Sequence, residues 1–300
     1  MNDCAPGRSS IYHTSTRGKA QLRYALISFL NARPLWWGLT HSPLAGEEFE
    51  FASPARCADL IAGGNAALAL IPAIEILRIP GVVAMPEICI ASRTEVRSVL
   101  LVSKVPLEEI RSVALDPSSR TSVTLARILI GERLGPESYA GVKFDPVEAG
   151  ELLRLEGHDA AVVIGDRALQ VSRELPASAT FRYDLVSKWN ALFGEPFVFA
   201  LWAGRREAIE RGLRSGSPER LVERLVESRE AGLALVETIA REASGELALP
   251  FGELLEYFRS ALHYDFGRRE RSALARFYAL AAKYRLIDEG REIEWLIEPK

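Results

Sequence analysis

The strongest candidate for a binding site is a run of hydroxyl side chains between a predicted strand and a predicted helix. Residues 115–123 read LDPSSRTSV. The first turn of a helix offers unpaired backbone N–H groups and the positive end of the helix dipole, which together attract an anion. Ordinary N-capping needs one hydroxyl, and four stand here within five positions. We predict that three of these four, Ser119, Thr121 and Ser122, bind a carboxylate or phosphate, and we call these three the hydroxyl run. Plain helix capping is the alternative.

Polar side chains at the ends of other predicted strands are further binding candidates. Asn31 follows the first strand, at the edge where open parallel sheets expose their ligand-contacting loops, and its amide can donate to and accept from a hydroxyl. A turn or cap before Pro34 is the alternative role for Asn31. Ser92 and Arg93 end another strand, where the arginine either forks onto a carboxylate or is a solvated hairpin charge.

Two carboxylates are candidates for acid–base chemistry. Asp166 directly follows a predicted buried strand and is suited to act as a general base or an orienting acceptor, although a helix cap would have the same sequence. Glu75 is a weaker candidate, because it is predicted to begin a helix, where acidic side chains are favoured in any case.

Composition limits the class of function. The 300 residues carry a formal net charge of −3, and 48% of them are hydrophobic. Lys and Arg are interspersed with Asp and Glu, so we expect one or two folded domains and no nucleic-acid partner. The first 19 residues are polar, and no stretch reaches the about 20 apolar residues that cross a bilayer. These features predict a flexible tail over residues 1–19, no membrane insertion and a cytoplasmic location.

Motifs of metal-dependent and cofactor-dependent enzymes are missing. The 3 cysteines and 4 histidines are scattered, without the spacing of a zinc site. The sequence also lacks GxGxxG, GxxxxGK[ST], GxSxG and HExxH. We therefore expect a reaction that needs no metal and no cofactor.

The order of the predicted elements indicates an α/β fold. A strand, a helix from Ser53 to Gly63 and another strand form a βαβ pattern near the N-terminus, which implies parallel strands. Strands are predicted at residues 22–30, 48–52, 66–71, 82–92, 96–104, 112–115, 142–144, 160–164 and 197–203. Helices are predicted at residues 119–134, 148–156, 186–193, 221–242, 251–262 and 270–284, with an all-helical chain after residue 206.

This arrangement predicts two α/β lobes, joined by two crossover strands and followed by a helical C-terminal tail. Lobe 1 comprises residues 20–98 and 201–300, lobe 2 comprises residues 99–200, and the ligand cleft lies between them. We expect the hinges near residues 97–101 and 196–199, where an extended strand passes from one lobe to the other.

Six motifs follow one another within residues 22–203: ISFLNARPL, LALIPAIEILRIPG, IASRTEVRSVLLVSKVPLEEIRSVALD, SSRTSVTLARILI, VVIGDRAL and FVFALWA. In this order they resemble the chorismate dehydratase family of the futalosine route to menaquinone. The resemblance implies a two-lobed periplasmic-binding-protein-like (type 2) fold and the dehydration of chorismate to 3-[(1-carboxyvinyl)oxy]benzoate. Phe29 departs from the family, which usually has Tyr there, and residues 65–67 replace an Asp-containing turn.

Chorismate would use the candidate residues in distinct roles, because it carries two carboxylates and a ring hydroxyl. We expect the hydroxyl run to bind one carboxylate, Ser92 or Arg93 to help with the other, and Asn31 to hold the departing hydroxyl. The base stays open between Asp166, Glu75 and the enolpyruvyl carboxylate of the substrate itself. Since the same fold serves transport, a non-catalytic solute-binding protein for a small carboxylate is the alternative function.

Overall fold

A computed structural model of the chain describes residues 22–173, 177–213 and 216–299. The predicted flexible tail, residues 1–19, lies outside the described residues. The strands are β1 (Leu22–Ile27), β2 (Glu47–Ala52), β3 (Leu68–Pro72), β4 (Val82–Ser92), β5 (Val99–Ser103), β6 (Ser112–Leu115), β7 (Lys143–Pro146), β8 (Ala160–Ile164), β9 (Phe181–Asp184), β10 (Phe197–Arg205), β11 (His263–Phe266) and β12 (Glu294–Trp295).

Helices surround these strands. The α-helices are α1 (Arg33–His41), α2 (Pro54–Ala62), α3 (Ala73–Arg78), α4 (Arg120–Leu134), α5 (Pro136–Ala140), α6 (Gly165–Arg173), α7 (Leu185–Phe193), α8 (Arg206–Leu213), α9 (Pro218–Ala234), α10 (Val236–Leu247), α11 (Phe251–Glu256) and α12 (Arg268–Lys283). No helix in the described ranges is long and apolar enough to cross a membrane.

Lobe 1 is built on the larger sheet. Within the described residues this sheet has seven strands in the order β11-β4-β10-β3-β1-β2, with β12 beside β4. Strand β1 runs parallel to β2 and β3, which confirms the predicted βαβ pattern, and β10 runs antiparallel to β3 and β4. Ser53 caps α2 as the sequence predicts, since its side chain accepts from the Arg56 amide, and Pro54 takes the first helical position.

Lobe 2 is built on a second, five-stranded sheet in the order β7-β6-β8-β5-β9. Strand β6 is parallel to β7 and β8, whereas β5 is antiparallel to β8 and β9. Strands β5 and β8 are buried at every residue, as their continuous apolar sequences require for strands covered on both faces.

The lobe boundary on the return crossing lies earlier than the sequence suggests. Phe197 and Val198 pair with Ser92 and Ala91 of β4, so β10 belongs to the lobe 1 sheet along its whole length. Residues 197–200 are therefore part of lobe 1, and the predicted boundary at residue 200 falls inside a strand. The crossing itself occurs after α7, before Phe197.

Three predicted elements differ from the structure. Residues 148–156 form a turn and a short 3-10 helix, Leu152–Arg154, because only two of their side chains are buried. The helix predicted over residues 221–242 is divided between α9 and α10, which meet at Leu235. The chain after residue 206 is not all helical, since β11 and β12 both pair with β4.

Candidate active site between the two lobes

A small cavity lies between the lobes, at the carboxyl ends of the parallel strands of both sheets, where open α/β sheets bind their ligands. It is lined by Ile27, Phe29, Asn31, Pro54, Pro72, Ile90, Ser98, Val99, Ser119, Ser122, Ile164, Gly165, Phe199 and Ala200. Its free volume is about 30 Å³, room for about two water molecules. The two lobes are therefore closed on one another in this structure.

Two members of the hydroxyl run face this cavity at the start of α4. Ser119 is the N-cap residue, but its side chain makes no capping hydrogen bond and its Oγ instead donates to Ser122 Oγ at 2.8 Å. Ser119 is 9% exposed and Ser122 1%. Because the cap residue leaves the first-turn amides uncapped, the helix start keeps its capacity for an anion. Plain capping by Ser119 is thus not what the structure shows.

Thr121 takes a different role from its two neighbours. It is buried, it does not line the cavity, and its Oγ1 accepts from the Ile74 amide of α3 at 3.3 Å. A second contact lies close by, where the Ala55 amide donates to the Ser118 carbonyl at 3.0 Å. Both bonds run from a helix start in lobe 1 to lobe 2, so Thr121 joins the lobes.

Asn31 lies in a 3-10 helix, Leu30–Ala32, and lines the cavity. Its backbone carbonyl accepts from the Tyr264 hydroxyl at 3.0 Å, which fixes the residue against β11. Among the described residues its Oδ1 is buried and has no hydrogen-bond partner. A buried acceptor without a partner is unfavourable, and a ligand hydroxyl in the cavity would supply the missing donor.

Asp166 lies in the first turn of α6 and does not line the cavity. Its Oδ1 accepts from the Leu30 amide of lobe 1 at 3.0 Å. Desolvation raises the pKa of the Asp166 carboxyl, while the hydrogen bond from Leu30 and the charge of Arg33 act in the opposite direction. The carboxylate that the sequence offers as a base is thus a contact between the lobes.

Glu75 is held by two arginines. Its Oε1 accepts from Arg78 Nη1 at 2.9 Å and its Oε2 from Arg120 Nη1 at 2.9 Å. Arg120 also donates from Nη2 to Asp59 at 2.8 Å, so an arginine at the start of α4 grips two carboxylates of lobe 1. Glu75 is 4% exposed, and both its oxygens serve this ion-pair network.

Ser92 and Arg93 are not brought to the cavity. Ser92 is buried at the end of β4, and its Oγ donates to the Glu95 carbonyl at 2.7 Å, which holds the turn after the strand. Arg93 is exposed in that turn, and its own carbonyl accepts from Asn190 Nδ2 at 3.0 Å. The structure therefore separates both residues from Asn31 and the start of α4.

Ser98 lines the cavity, and the sequence reasoning missed it. The preceding residue, Arg97, has a φ of +60°, which is uncommon for a residue with a side chain. Asp184 Oδ2 holds this turn by accepting from the amides of Val96 at 3.0 Å and Arg97 at 2.7 Å. The turn places Ser98 at the cavity just before β5 begins. No local sequence motif predicts this position of Ser98.

Phe29 and Gly165 form an apolar contact across the cleft and were also missed. Gly165 has a φ of +63°, and a Cβ at this position would lie 3.1 Å from the nearest ring carbon of Phe29. Glycine is therefore favoured here, because another residue would strain the backbone and would push the Phe29 ring away by a few tenths of an ångström. The signal in the sequence was a glycine directly after a buried strand.

The two-lobed arrangement recurs in solved structures. A protein from Archaeoglobus fulgidus aligns with a TM-score of 0.65 at 13% identity, over 89% of this chain and 98% of that one. The periplasmic aliphatic sulphonate binding protein SsuA from Escherichia coli aligns with a TM-score of 0.62 at 11% identity, over 93% of this chain and 97% of that one. At such identities the likeness shows the fold alone, and it confirms the predicted periplasmic-binding-protein-like fold.

Sequence comparison gives a more specific result. The chain is 29% identical over 267 residues to chorismate dehydratase from Thermus thermophilus, covering 84% of this chain and 92% of that protein. A family model described as menaquinone biosynthesis matches residues 22–283, which span both lobes and most of the helical tail. The chain belongs to the menaquinone biosynthesis family.

Proposed function

We propose that this protein is a chorismate dehydratase, which removes water from chorismate and releases 3-[(1-carboxyvinyl)oxy]benzoate. The observation that carries the proposal is the meeting of Asn31 Oδ1, a buried acceptor without a partner in the described residues, with the uncapped start of α4 in one cavity. The likeness to the Thermus enzyme identifies a substrate with a matching hydroxyl and carboxylates. We further propose the futalosine route to menaquinone as its pathway and the cytoplasm as its location.

Each polar group of chorismate has a counterpart in the cavity. One carboxylate would bind at the start of α4, against Ser119, Ser122 and the first-turn amides. The ring hydroxyl would donate to Asn31 Oδ1. We assign the second carboxylate to Ser98, in place of Ser92 or Arg93, because Ser98 alone among the three lines the cavity.

The reaction draws much of its driving force from the substrate. A base removes the proton from the ring carbon that bears the ether, and the ring carboxylate stabilises the developing charge by conjugation. The bond from the neighbouring carbon to its hydroxyl then breaks, the ring becomes aromatic, and hydroxide leaves as water once protonated. Asn31 Oδ1 would accept from the departing hydroxyl and hold it in line, while Asn31 Nδ2 would donate to the same oxygen by a hydrogen bond that strengthens as charge develops there. The proton taken by the base returns to this oxygen, so that it leaves as water.

The contacts of the two protein carboxylates favour the substrate's own enolpyruvyl carboxylate as the base. Asp166 accepts the Leu30 amide, Glu75 binds two arginines, and neither lines the cavity. The enolpyruvyl carboxylate is tethered next to the proton that leaves, so its effective concentration is high. The protein would then act by holding the substrate in the reactive conformation and by supporting the leaving group.

Access to the cavity requires the lobes to separate, because its free volume is far smaller than chorismate. Opening would break the hydrogen bonds from Leu30 to Asp166 and from Ile74 to Thr121. Closure of the lobes around the substrate would then exclude water from the reacting carbons.

The direct test is incubation of the purified protein with chorismate, without any added cofactor and after treatment with a chelator. We expect an aromatic product whose mass is lower than that of chorismate by one water, measured by liquid chromatography with mass spectrometry. Chorismate alone is the control for its spontaneous breakdown. Tight chorismate binding without product would overturn the proposal in favour of a solute-binding protein, and absence of both would reject chorismate as the ligand.

A further inference from the structure

Ser98 shares its hydroxyl with a tyrosine that lies behind the cavity. The Tyr257 hydroxyl and Ser98 Oγ are 2.8 Å apart, and both residues are buried, at 2% and 1% exposure. Ser98 lines the cavity, whereas Tyr257 does not. Tyr257 therefore reaches a bound ligand only through Ser98.

The direction of this hydrogen bond follows from counting protons. Each hydroxyl carries one proton, and two hydroxyls at this distance share one of them. Among the described residues Ser98 Oγ is the sole hydrogen-bond partner of the Tyr257 hydroxyl, so the phenol proton is satisfied only if Tyr257 donates. Burial raises the pKa of Tyr257 well above its usual value, which keeps the phenol protonated. The proton of Ser98 is then free to point into the cavity.

Both residues of this pair stand on irregular backbone. Tyr257 begins a π-helical turn, Tyr257–Ala261, in which the Leu262 amide donates to the Tyr257 carbonyl at 3.2 Å. Ser98 follows Arg97, whose positive φ is held by Asp184. Such conformations are less stable than regular ones and persist where the surrounding structure fixes them, often at functional sites. Here the two irregular segments bring the hydroxyls together.

We propose that Tyr257 is a positioning residue: by donating to Ser98 Oγ, it fixes the serine as a hydrogen-bond donor to a carboxylate of the ligand in the cleft. This inference rests on the proposed function for the identity of the ligand, chorismate. Tyr257 does not touch the substrate. It removes the alternative orientations of the Ser98 hydroxyl, so that the ligand does not have to order the donor on binding.

The test is a double-mutant cycle between Tyr257→Phe and Ser98→Ala, because phenylalanine deletes the hydroxyl and keeps the ring. We expect Tyr257→Phe to lower kcat/KM for chorismate about 5- to 10-fold, the size of one hydrogen bond. We expect Ser98→Ala to lower it about 10- to 100-fold, since a donor to a charged group is lost. In the Ser98→Ala background, Tyr257→Phe should lower it no further.

Tyr24→Phe is the matched control for stability. Tyr24 is 1% exposed, and its hydroxyl donates to Glu47 at 2.9 Å, at the far end of β1 from the cavity. This variant should lose thermal stability like Tyr257→Phe and keep its kcat/KM. Equal losses from Tyr257→Phe in the two Ser98 backgrounds, or a loss no larger than that of Tyr24→Phe, would overturn the positioning role.

A crystal structure of the Tyr257→Phe variant separates this inference from the proposed function. We expect the fold to be retained and the Ser98 side chain to leave its single rotamer. An unchanged Ser98 rotamer would overturn the inference, whatever the ligand. Wild-type protein that leaves chorismate unchanged would overturn the proposed function, and a displaced Ser98 in the variant would still support positioning.

Discussion

Two groups of polar residues lie between the lobes, and they differ in how their hydrogen-bonding capacity is used. The inner group, Asn31, Ser98, Ser119 and Ser122, lines the cavity and keeps acceptor or donor capacity directed into it. The rim group consists of three pairs that join one lobe to the other, Leu30–Asp166, Ile74–Thr121 and Glu75–Arg120. Hydrogen-bonding groups of the inner group that have no protein partner can bind a ligand. The groups of the rim pairs are already bonded to the opposite lobe, so they stabilise the closed arrangement of the lobes.

The two groups also differ in residue type, because charged side chains lie at the rim and neutral ones line the cavity. The charged side chains near the cleft, Asp166, Glu75 and Arg120, belong to the rim group, and the inner group contains hydroxyls and one amide. A neutral inner surface does not repel a dianionic substrate and carries little of the desolvation penalty of buried charge. Charged side chains are better placed at the rim, where Asp166 and Arg120 bond to groups of the opposite lobe.

The largest expected effect belongs to the inner group and comes from Asn31→Ala. Removing the carboxamide takes away the contact to the departing hydroxyl, and loss of one such contact lowers kcat by about 10²- to 10³-fold. Thermal stability should not fall, because the substitution deletes a buried acceptor without a partner in the described residues. Steady-state kinetics with chorismate and a thermal melt measure the two quantities.

Asn190→Ala is the matched control for this substitution. Asn190 is half-buried like Asn31, but its Nδ2 donates to the Arg93 carbonyl in a turn away from the cavity. It should lose stability and keep its kcat, the reverse of Asn31→Ala. If Asn31→Ala kept more than a tenth of the wild-type kcat, Asn31 would have no role in the chemical step. The proposed difference between the inner group and the rim group would then be wrong for this residue.

A smaller effect is expected where the lobes touch without polar contacts, from Gly165→Ala. The new Cβ would meet the Phe29 ring at 3.1 Å in the closed cleft, and a φ of +63° is strained for alanine. We expect KM for chorismate to rise about 10-fold, which corresponds to about 1.4 kcal/mol of impaired closure. Steady-state kinetics and chemical unfolding measure the two contributions.

Gly194→Ala separates backbone strain from the contact. Gly194 has a φ of +67°, and a Cβ there would meet nothing within 4 Å. Both variants should lose about 1 kcal/mol of unfolding free energy through strain, and only Gly165→Ala should change KM. An unchanged KM in Gly165→Ala would mean that the substrate binds without the lobes closing to this distance.

Local sequence predicted those parts of the fold that depend on local patterns. The β2–α2–β3 unit follows from the strand patterns at residues 48–52 and 66–71 with the helix start at Ser53 between them, and α4 follows from its helical periodicity. Strand β11 was missed, because His263–Phe266 is short and its partner, β4, is far away in the sequence. The same reason applies to β12.

The inner and rim groups cannot be told apart from sequence. Thr121 and Ser122 are adjacent hydroxyls at one helix start, and the 100° turn between neighbouring helical residues sends one to Ile74 and the other to the cavity. Ser98 was invisible for a related reason, since its exposure to the cavity depends on the backbone of Arg97 and on Tyr257, more than 150 residues away along the chain.

The smallest expected effect on activity comes from the rim group, from Asp166→Asn. Asparagine keeps an oxygen that accepts the Leu30 amide, so closure should be preserved. We expect kcat to stay within about threefold of wild type, whereas loss of a general base would lower it about 10²- to 10⁴-fold. A large loss of kcat with an unchanged KM would instead identify Asp166 as the general base.

The wild type and the Asp166→Asn variant should also differ in how their stability depends on pH. Desolvation raises the folded-state pKa of Asp166 above its ordinary value of 3.8, so the folded protein holds this proton more tightly than the unfolded chain does. The resulting stabilisation is fully present below the ordinary pKa and is lost as pH rises through the raised one. The unfolding free energy of wild type, measured in urea relative to Asp166→Asn, should therefore fall across this window and level off above it. A rise instead would mean that the Leu30 amide and Arg33 outweigh desolvation, and that the charge on Asp166 itself holds the lobes together.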